Sequence, residues 1–239
     1  MFLQQFKHPN IVELKQVIRS SNERDIYILF EFMDIDLYTL IRENMLGEQH
    51  KRYIIYQTAK ALHYLHSAEL IHRDIKPSNV LVNEDCLSKI CDFGLIRSVE
   101  DEEELPPVLT DYIATRWYRA PEILLGSKKY SKAADVWSFG CMIGEIIRGK
   151  PMFPGHSTLN QIERVMQWTG PPTITDLKSL KTDFGKEMLD ILTKIKPVNR
   201  KDWFTNCPAD ALDLISKCLS FNPDKRPTML DIVKHPYLK

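Results

Sequence analysis

The stretch from His72 to Gly94 holds the densest set of chemically useful side chains in the sequence. It begins His72-Arg73-Asp74-Ile75-Lys76-Pro77-Ser78-Asn79, and Asp92-Phe93-Gly94 follows, with Asp92 thirteen residues after Asn79. Moving a phosphoryl group onto a hydroxyl needs a carboxylate to orient the acceptor and take its proton. It also needs oxygen ligands for magnesium and cations against the moving charge. Asp74 suits the first task, Asn79 and Asp92 the second, and Lys76 the third. Asp-Phe-Gly alone, or His-Arg-Asp alone, arises readily by chance, whereas the two in this order at this spacing are a specific signal. His72 reads as a packing residue beneath the site.

A second group lies downstream. Thr110-Asp111-Tyr112 sits between Gly94 and Ala120-Pro121-Glu122, with Arg73, Arg97, Arg116 and Arg119 available as cationic partners. A phosphate on a hydroxyl adds about −1.5 to −2 charges and can order a loop through arginine pairing. Thr110 and Tyr112 are therefore expected to form an electrostatic switch. The plain alternative is two ordinary loop hydroxyls, which the surrounding arginines disfavour.

The elements that must position these groups can be read around them. Ile11 to Val17 and Ile26 to Phe32 are rich in β-branched and aromatic residues and predict two short strands, joined by a turn at Ser20-Ser21-Asn22-Glu23. Ile55, Ala59, Leu62 and His66 form a helical stripe. Short strands are expected at Val80–Val82 and Ser88–Cys91, a hairpin that brings Asp92 back to face Asn79. Glu100-Asp101-Glu102-Glu103-Glu104 before Pro106-Pro107 reads as a loop, because like charges repel and proline ends helices and ladders. Ala133 to Arg148 is apolar nearly all round, as in a buried central helix. Ala211, Ile215, Cys218 and Leu219 form a last stripe, stopped by Asn222-Pro223. The expected fold is α+β and mainly α.

Composition excludes several classes. The 239 residues suffice to bury a large core, and 32 basic residues balance 32 acidic ones. Net neutrality gives no electrostatic reason to expect nucleic acid or an anionic membrane. No run approaches the roughly 18 apolar residues of a membrane span. The first residues lack the basic stretch and apolar core of a signal peptide, so cytoplasm or nucleus is the default location. The five cysteines are scattered and are expected to be free thiols. His63 and His66 lack nearby co-ligands, so helix packing is favoured over metal binding.

With these motifs in place, the sequence resembles the protein kinases, and within them the mitogen-activated protein kinases. Thr110-Asp111-Tyr112 is similar to their dual-phosphorylation motif, and the run from Ala114 to Glu122 resembles their substrate-recognition segment. Through Ile26–Asp34 and Gly149–Leu159 it is similar to the atypical extracellular-signal-regulated kinases numbered seven and eight. The resemblance implies ATP and Mg²⁺, and protein substrates with proline after the target Ser or Thr. It also implies activation by an upstream kinase or by autophosphorylation.

Residue by residue, it implies that Phe30 guards the back of the adenine pocket, that the Glu31 and Met33 backbone bonds the adenine, and that Leu81 packs beneath it. Thr115 would hydrogen-bond Asp74 and Lys76. Arg116 and Arg119 would receive phosphorylated Tyr112. Glu122 and Arg226 would form a buried ion pair, and Asp135 would anchor the backbone at His72 and Arg73. Leu40, Leu46 and His50 match a hydrophobic docking groove, whose acidic companions would lie after Lys239. Ile75 and Ile96 stand where the family usually has Leu and Ala.

The resemblance also implies parts that do not occur here. The first glycine is Gly47, so residues 1–46 contain no glycine-rich phosphate loop, and Lys7 and Lys15 are in the wrong context for the strand lysine. Residues 1–33 are expected to be a remnant of an upper lobe and 34–239 the lower lobe, with an apolar upper surface around Ile28, Phe30 and Leu81 exposed. Two readings follow: an N-terminally truncated form of an active proline-directed kinase, or a pseudokinase-like docking module. Intact Asp74, Lys76, Asn79 and Asp92 favour the first.

Overall fold

The computed structural model describes residues 4–99, 116–127, 130–180 and 195–239. In chain order the elements are β1 (Leu14–Arg19), β2 (Ile26–Phe30), β3 (Ile35–Asp36), α1 (Leu37–Arg42), α2 (Glu48–Ser67), β4 (Leu70–Ile71), β5 (Val80–Val82), β6 (Ser88–Ile90) and β7 (Arg97–Ser98). They continue as α3 (Pro121–Leu124), α4 (Lys132–Arg148), α5 (Thr158–Thr169), α6 (Ile174–Ser179), α7 (Ala209–Cys218) and α8 (Met229–Val233). The fold is α+β and mainly helical, as expected. Its strands form three small antiparallel groups: β1–β2, β3–β5–β6 and β4–β7.

The β-branched run expected as one strand from Ile11 is divided between two partners. Ile11 and Val12 are buried and pair with Ile90 of β6, whose N–H donates to Asn10 O at 2.9 Å while Val12 N–H donates to Ile90 O at 3.0 Å. Only from Leu14 does the chain turn upward to pair with β2, with the register shift of a bulge between Leu14 and Gln16. The resulting hairpin is apolar yet exposed along all five residues of β2.

The core lies among the helices. α4 buries twelve of its residues, including Trp137, Phe139 and Met142, and the whole Ala211–Leu219 stripe packs with it. Each fully buried large side chain contributes about 1.5–3 kcal/mol. Gly140 lets α4 meet α7 closely: a Cβ there would come within 2.7 Å of Cys218 Cβ. α4 ends at Gly149, whose left-handed backbone (φ 73°) lets its N–H donate to Glu145 O at 2.8 Å. The stripe of α2 is buried as the spacing required, with Ile55, Ala59 and Leu62 fully inside and His66 nearly so. None of the helices among the described residues is long and apolar enough to cross a membrane.

Candidate active site

The loop between β4 and β5 is held from below by one carboxylate. Asp135, on the first turn of α4, accepts from His72 N–H (Oδ2, 2.9 Å) and Arg73 N–H (Oδ1, 2.9 Å). His66 Nε2 of α2 also meets Asp135 Oδ2 at 2.9 Å, a contact that puts a proton on Nε2. Burial pushes the Asp135 carboxyl upward, but the hydrogen bond and charge of His66, with His72 and the Arg73 amide, outweigh it and hold it below its ordinary value. The loop has a sharp backbone at Arg73, with φ 72°, an unusual conformation for a side chain of this size.

His72 is fully buried, and burial pulls its imidazole below the ordinary value. Its Nε2 donates to Cys91 O at 3.1 Å, which leaves Nδ1 as the lone-pair nitrogen that accepts from Asp74 N–H at 3.3 Å. A neutral imidazole thus links the Asp74 backbone to the strand that carries Asp92. Phe93 rests on the same ring at 5.2 Å between centroids, and Phe6 packs on Phe93 at 5.4 Å.

Asp74 is nearly buried, with its carboxylate placed by two donors. Lys76 Nζ donates to Oδ2 at 2.6 Å and Asn79 Nδ2 donates to the same oxygen at 3.0 Å. Asn79 Nδ2 also donates to Asp74 O at 2.8 Å, so the carbonyl end of its amide is left for another partner. Asn79 N–H closes a turn onto Lys76 O over Pro77–Asn79, and Asn79 O accepts from Cys91 N–H at 3.0 Å. The β5–β6 hairpin therefore brings Asn79 and Asp92 to one end, as the spacing predicted. Asp92 is exposed and takes a left-handed φ of 62°. Cys91 beside it is an inert thiol, pushed up to about 11 by burial and the Asp92 charge.

On the opposite side of β5, Leu81 pairs with Asp36 of β3 and is half-buried. Glu31 and Met33 are half-buried in the segment leading from β2 to β3, and Phe30 ends β2 with 41% exposure. The Met33 N–H and C=O take no hydrogen bond among the described residues.

The arginines expected to receive phosphate converge in part. Arg73 and Arg119 line one pocket with Asp74, Tyr118 and Tyr130. Arg97 joins them through the β4–β7 pair, in which it faces Ile71. The Arg73 guanidinium lies over the Tyr130 ring at 4.7 Å, while its Nε and Nη2 are buried without a hydrogen-bond partner among the described residues. Burial holds it below the usual arginine value, and Arg97 adds repulsion against the Tyr130 field. Arg116 is buried at the start of the described downstream segment. Thr110, Tyr112 and Thr115 lie outside the described residues.

That segment is braced from three sides. Arg226 grips Glu122 with two hydrogen bonds, 2.7 and 2.8 Å, and spends its remaining donors on Ser220, Phe221 and Ala133 carbonyls. Trp117 Nε1 donates to Gly155 O at 3.1 Å, and Ser138 Oγ donates to Tyr118 O at 2.8 Å. Tyr118 OH donates to Glu145 Oε2 at 2.7 Å, a contact with no signal in the sequence beyond the acid's place in an apolar helix. Burial pushes that carboxyl up to about 7, against the Tyr118 hydrogen bond and the Arg148 charge. Leu40 and Leu46 share a cavity of about 100 Å³ with Ile41, Ile146 and Ile147. His50 is exposed, and its Nδ1 accepts from Gly47 N–H at 3.3 Å, capping α2. Ile75 and Ile96 are both buried in the core.

The sequence profile of the protein kinase domain family matches residues 1–238. The chain belongs to the protein kinases. Extracellular signal-regulated kinase 2 of Dictyostelium discoideum is 51% identical over 242 residues, covering all of this chain and 66% of that protein. Mitogen-activated protein kinase 15 of Xenopus laevis is 51% identical over 243 residues, covering all of this chain and 42% of that protein. Extracellular signal-regulated kinase 7 of Drosophila melanogaster is 42% identical over 248 residues, with 27% of that protein covered. The chain thus falls in the mitogen-activated group, and it spans less than two thirds of the length of these relatives.

Protein kinases as a family use ATP and Mg²⁺, and the donor set here fits both. Mg²⁺ is a hard cation that takes one or two protein oxygens and completes its shell with phosphates and water. The carbonyl end of Asn79 and the exposed Asp92 carboxylate supply that pair, and no group of three or more metal-binding side chains occurs among the described residues. The unpartnered Met33 N–H and C=O fit the donor and acceptor edge of an adenine.

Proposed function

We propose that this kinase transfers the γ-phosphoryl group of ATP to Ser or Thr hydroxyls followed by proline in protein substrates. The observation that carries the reading is the Asp74 carboxylate, fixed by Lys76 Nζ and Asn79 Nδ2 beside the hairpin end that bears Asp92. Asp74 orients the acceptor hydroxyl and takes its proton as the new O–P bond forms and the bond to the β-phosphate oxygen breaks. Lys76 offsets the negative charge on the moving group. Asn79 and Asp92 would hold Mg²⁺, which neutralises charge on the phosphate oxygens. Residues 31–33 carry the adenine edge, Leu81 the floor and Phe30 the back wall. Thr115, by this reading, hydrogen-bonds Asp74 and Lys76.

Regulation follows from the same charges. Phosphate on Thr110 would find Nε and Nη2 of Arg73, which have no hydrogen-bond partner among the described residues, with Arg97 adding to the positive field. Phosphorylated Tyr112 would go to Arg116 and Arg119, shaping the proline-accepting surface. The source of those phosphates is an upstream kinase or the chain itself. The Leu40–Leu46 cavity supports protein docking as a second use of the fold. A docking module alone has no need of the Asp74–Lys76–Asn79 network, so catalysis is the preferred reading.

The test is transfer of labelled γ-phosphate from ATP to a Ser-Pro peptide by the purified chain, with Asp74→Asn beside it. Loss of a positioned base costs about 10²–10⁴-fold in rate. Equal incorporation by the variant, or none by a well-folded wild-type chain, overturns the proposal.

A further inference from the structure

Two consecutive residues of β6 hold the two places where the chain crosses between the β1–β2 hairpin and the helical body. Ile90 holds the first crossing through Asn10 O and Val12 N–H. Lys89 holds the second: its Nζ donates to both carboxylate oxygens of Glu31, at 2.7 and 2.8 Å. Glu31 joins the crossings to each other, because its Oε1 accepts from Glu13 N–H at 2.7 Å and its own N–H donates to Glu13 O at 3.0 Å. The Lys89 and Glu31 side chains are only 11% and 19% exposed, so water screens the pair far less than an ordinary surface bridge. Apolar packing gives the hairpin little help, since every residue of β2 is exposed. Its orientation therefore rests on these few polar contacts.

Lys89 also stands opposite Leu81 in the β5–β6 register and three residues before Asp92. We propose that Lys89 is a positioning residue of the nucleotide site: by gripping Glu31 it keeps the backbone of residues 31–33 at a fixed spacing from Leu81 and from the Asp92 end of the hairpin. This rests on the phosphoryl-transfer reading and extends it to a residue that orients the nucleotide-binding groups without touching nucleotide. When the latch opens, the competent arrangement is only fractionally populated, and affinity falls by that fraction.

The experiment compares the full chain with Lys89→Met, Lys89→Arg, Glu31→Gln and the exchange Glu31→Lys/Lys89→Glu. Two readouts are taken: hydrogen exchange of the Glu13 and Glu31 amides, and KM for ATP against KM for a Ser-Pro peptide. Lys89→Met and Glu31→Gln should speed exchange at Glu13 and raise KM for ATP about tenfold, as for loss of a charged hydrogen bond. The peptide KM should stay unchanged. Lys89→Arg and the exchanged pair should recover most of the loss. Unchanged exchange and unchanged ATP KM in Lys89→Met would overturn the inference, and so would ATP and peptide KM rising together. If the wild-type chain transfers no phosphate, the phosphoryl-transfer reading fails, while amide exchange at Glu13 still decides whether Lys89 holds the hairpin.

Discussion

Replacing Glu145 by Gln should change how stability depends on pH. Glu145 is 2% exposed on α4, and among the described residues its carboxyl group takes one hydrogen bond, from Tyr118 OH. Burial raises its carboxyl from 4.5 to about 7 in the folded chain. Between those values the folded state keeps a proton that the unfolded state releases, so stability falls as pH rises through this window. A shift of this size corresponds to about 3 kcal/mol in all, of which about 2.5 kcal/mol is lost between pH 5 and pH 8. Gln has nearly the same shape and cannot titrate. His72 gives the opposite slope, because its lowered value makes stability rise as pH climbs toward 6.5. The difference between wild type and Glu145→Gln isolates the carboxyl from that background. Urea unfolding at pH 5 and pH 8 should show the variant gaining on wild type by about 2–3 kcal/mol from the lower to the higher pH. Parallel pH dependences would show that Glu145 is not held as a neutral acid, and would refute the reasoning.

Three further outcomes follow from the packing. Arg226→Met strands the buried Glu122 carboxylate and should cost about 3–5 kcal/mol in urea unfolding, with part of it recovered by adding Glu122→Gln; a cost below about 1 kcal/mol contradicts the pair's burial. Gly140→Ala forces a methyl against Cys218 and Leu219 and should lower stability by about 1–3 kcal/mol, whereas a neutral result would mean α4 and α7 separate freely. Ile26 to Phe30 are each at least 41% exposed, so sedimentation at rising concentration should reveal self-association; a monodisperse monomer that melts cooperatively would count against this.

Most of the candidate site's geometry was legible in the sequence because its parts are local. Asp74, Lys76 and Asn79 lie on one turn, and a short hairpin with a regular register had to return Asp92 to the same end. The buried Glu122–Arg226 pair and the Asp135 anchor followed from resemblance, and both occur as implied. Contacts without a local pattern were not legible. Glu31 and Lys89 are 58 residues apart, and neither stands in a motif that announces the other. His66 was read only as packing, and the carboxylate it meets lies 69 residues away. The β-branched run at Ile11 looked like one strand because periodicity cannot say when a chain changes partners.

The most direct test of the account is nucleotide binding by the purified chain, read as thermal stabilisation by ATP with and without Mg²⁺. Ligand at about 100 times its Kd stabilises the native state by about 2.7 kcal/mol, which for a chain of this size raises Tm by roughly 5–10 °C. The account predicts a shift that requires Mg²⁺ and is lost in Asp92→Asn. No shift in a folded sample, or an equal shift without Mg²⁺ and in the variant, would contradict the claim that Asn79 and Asp92 form a working Mg²⁺-nucleotide site.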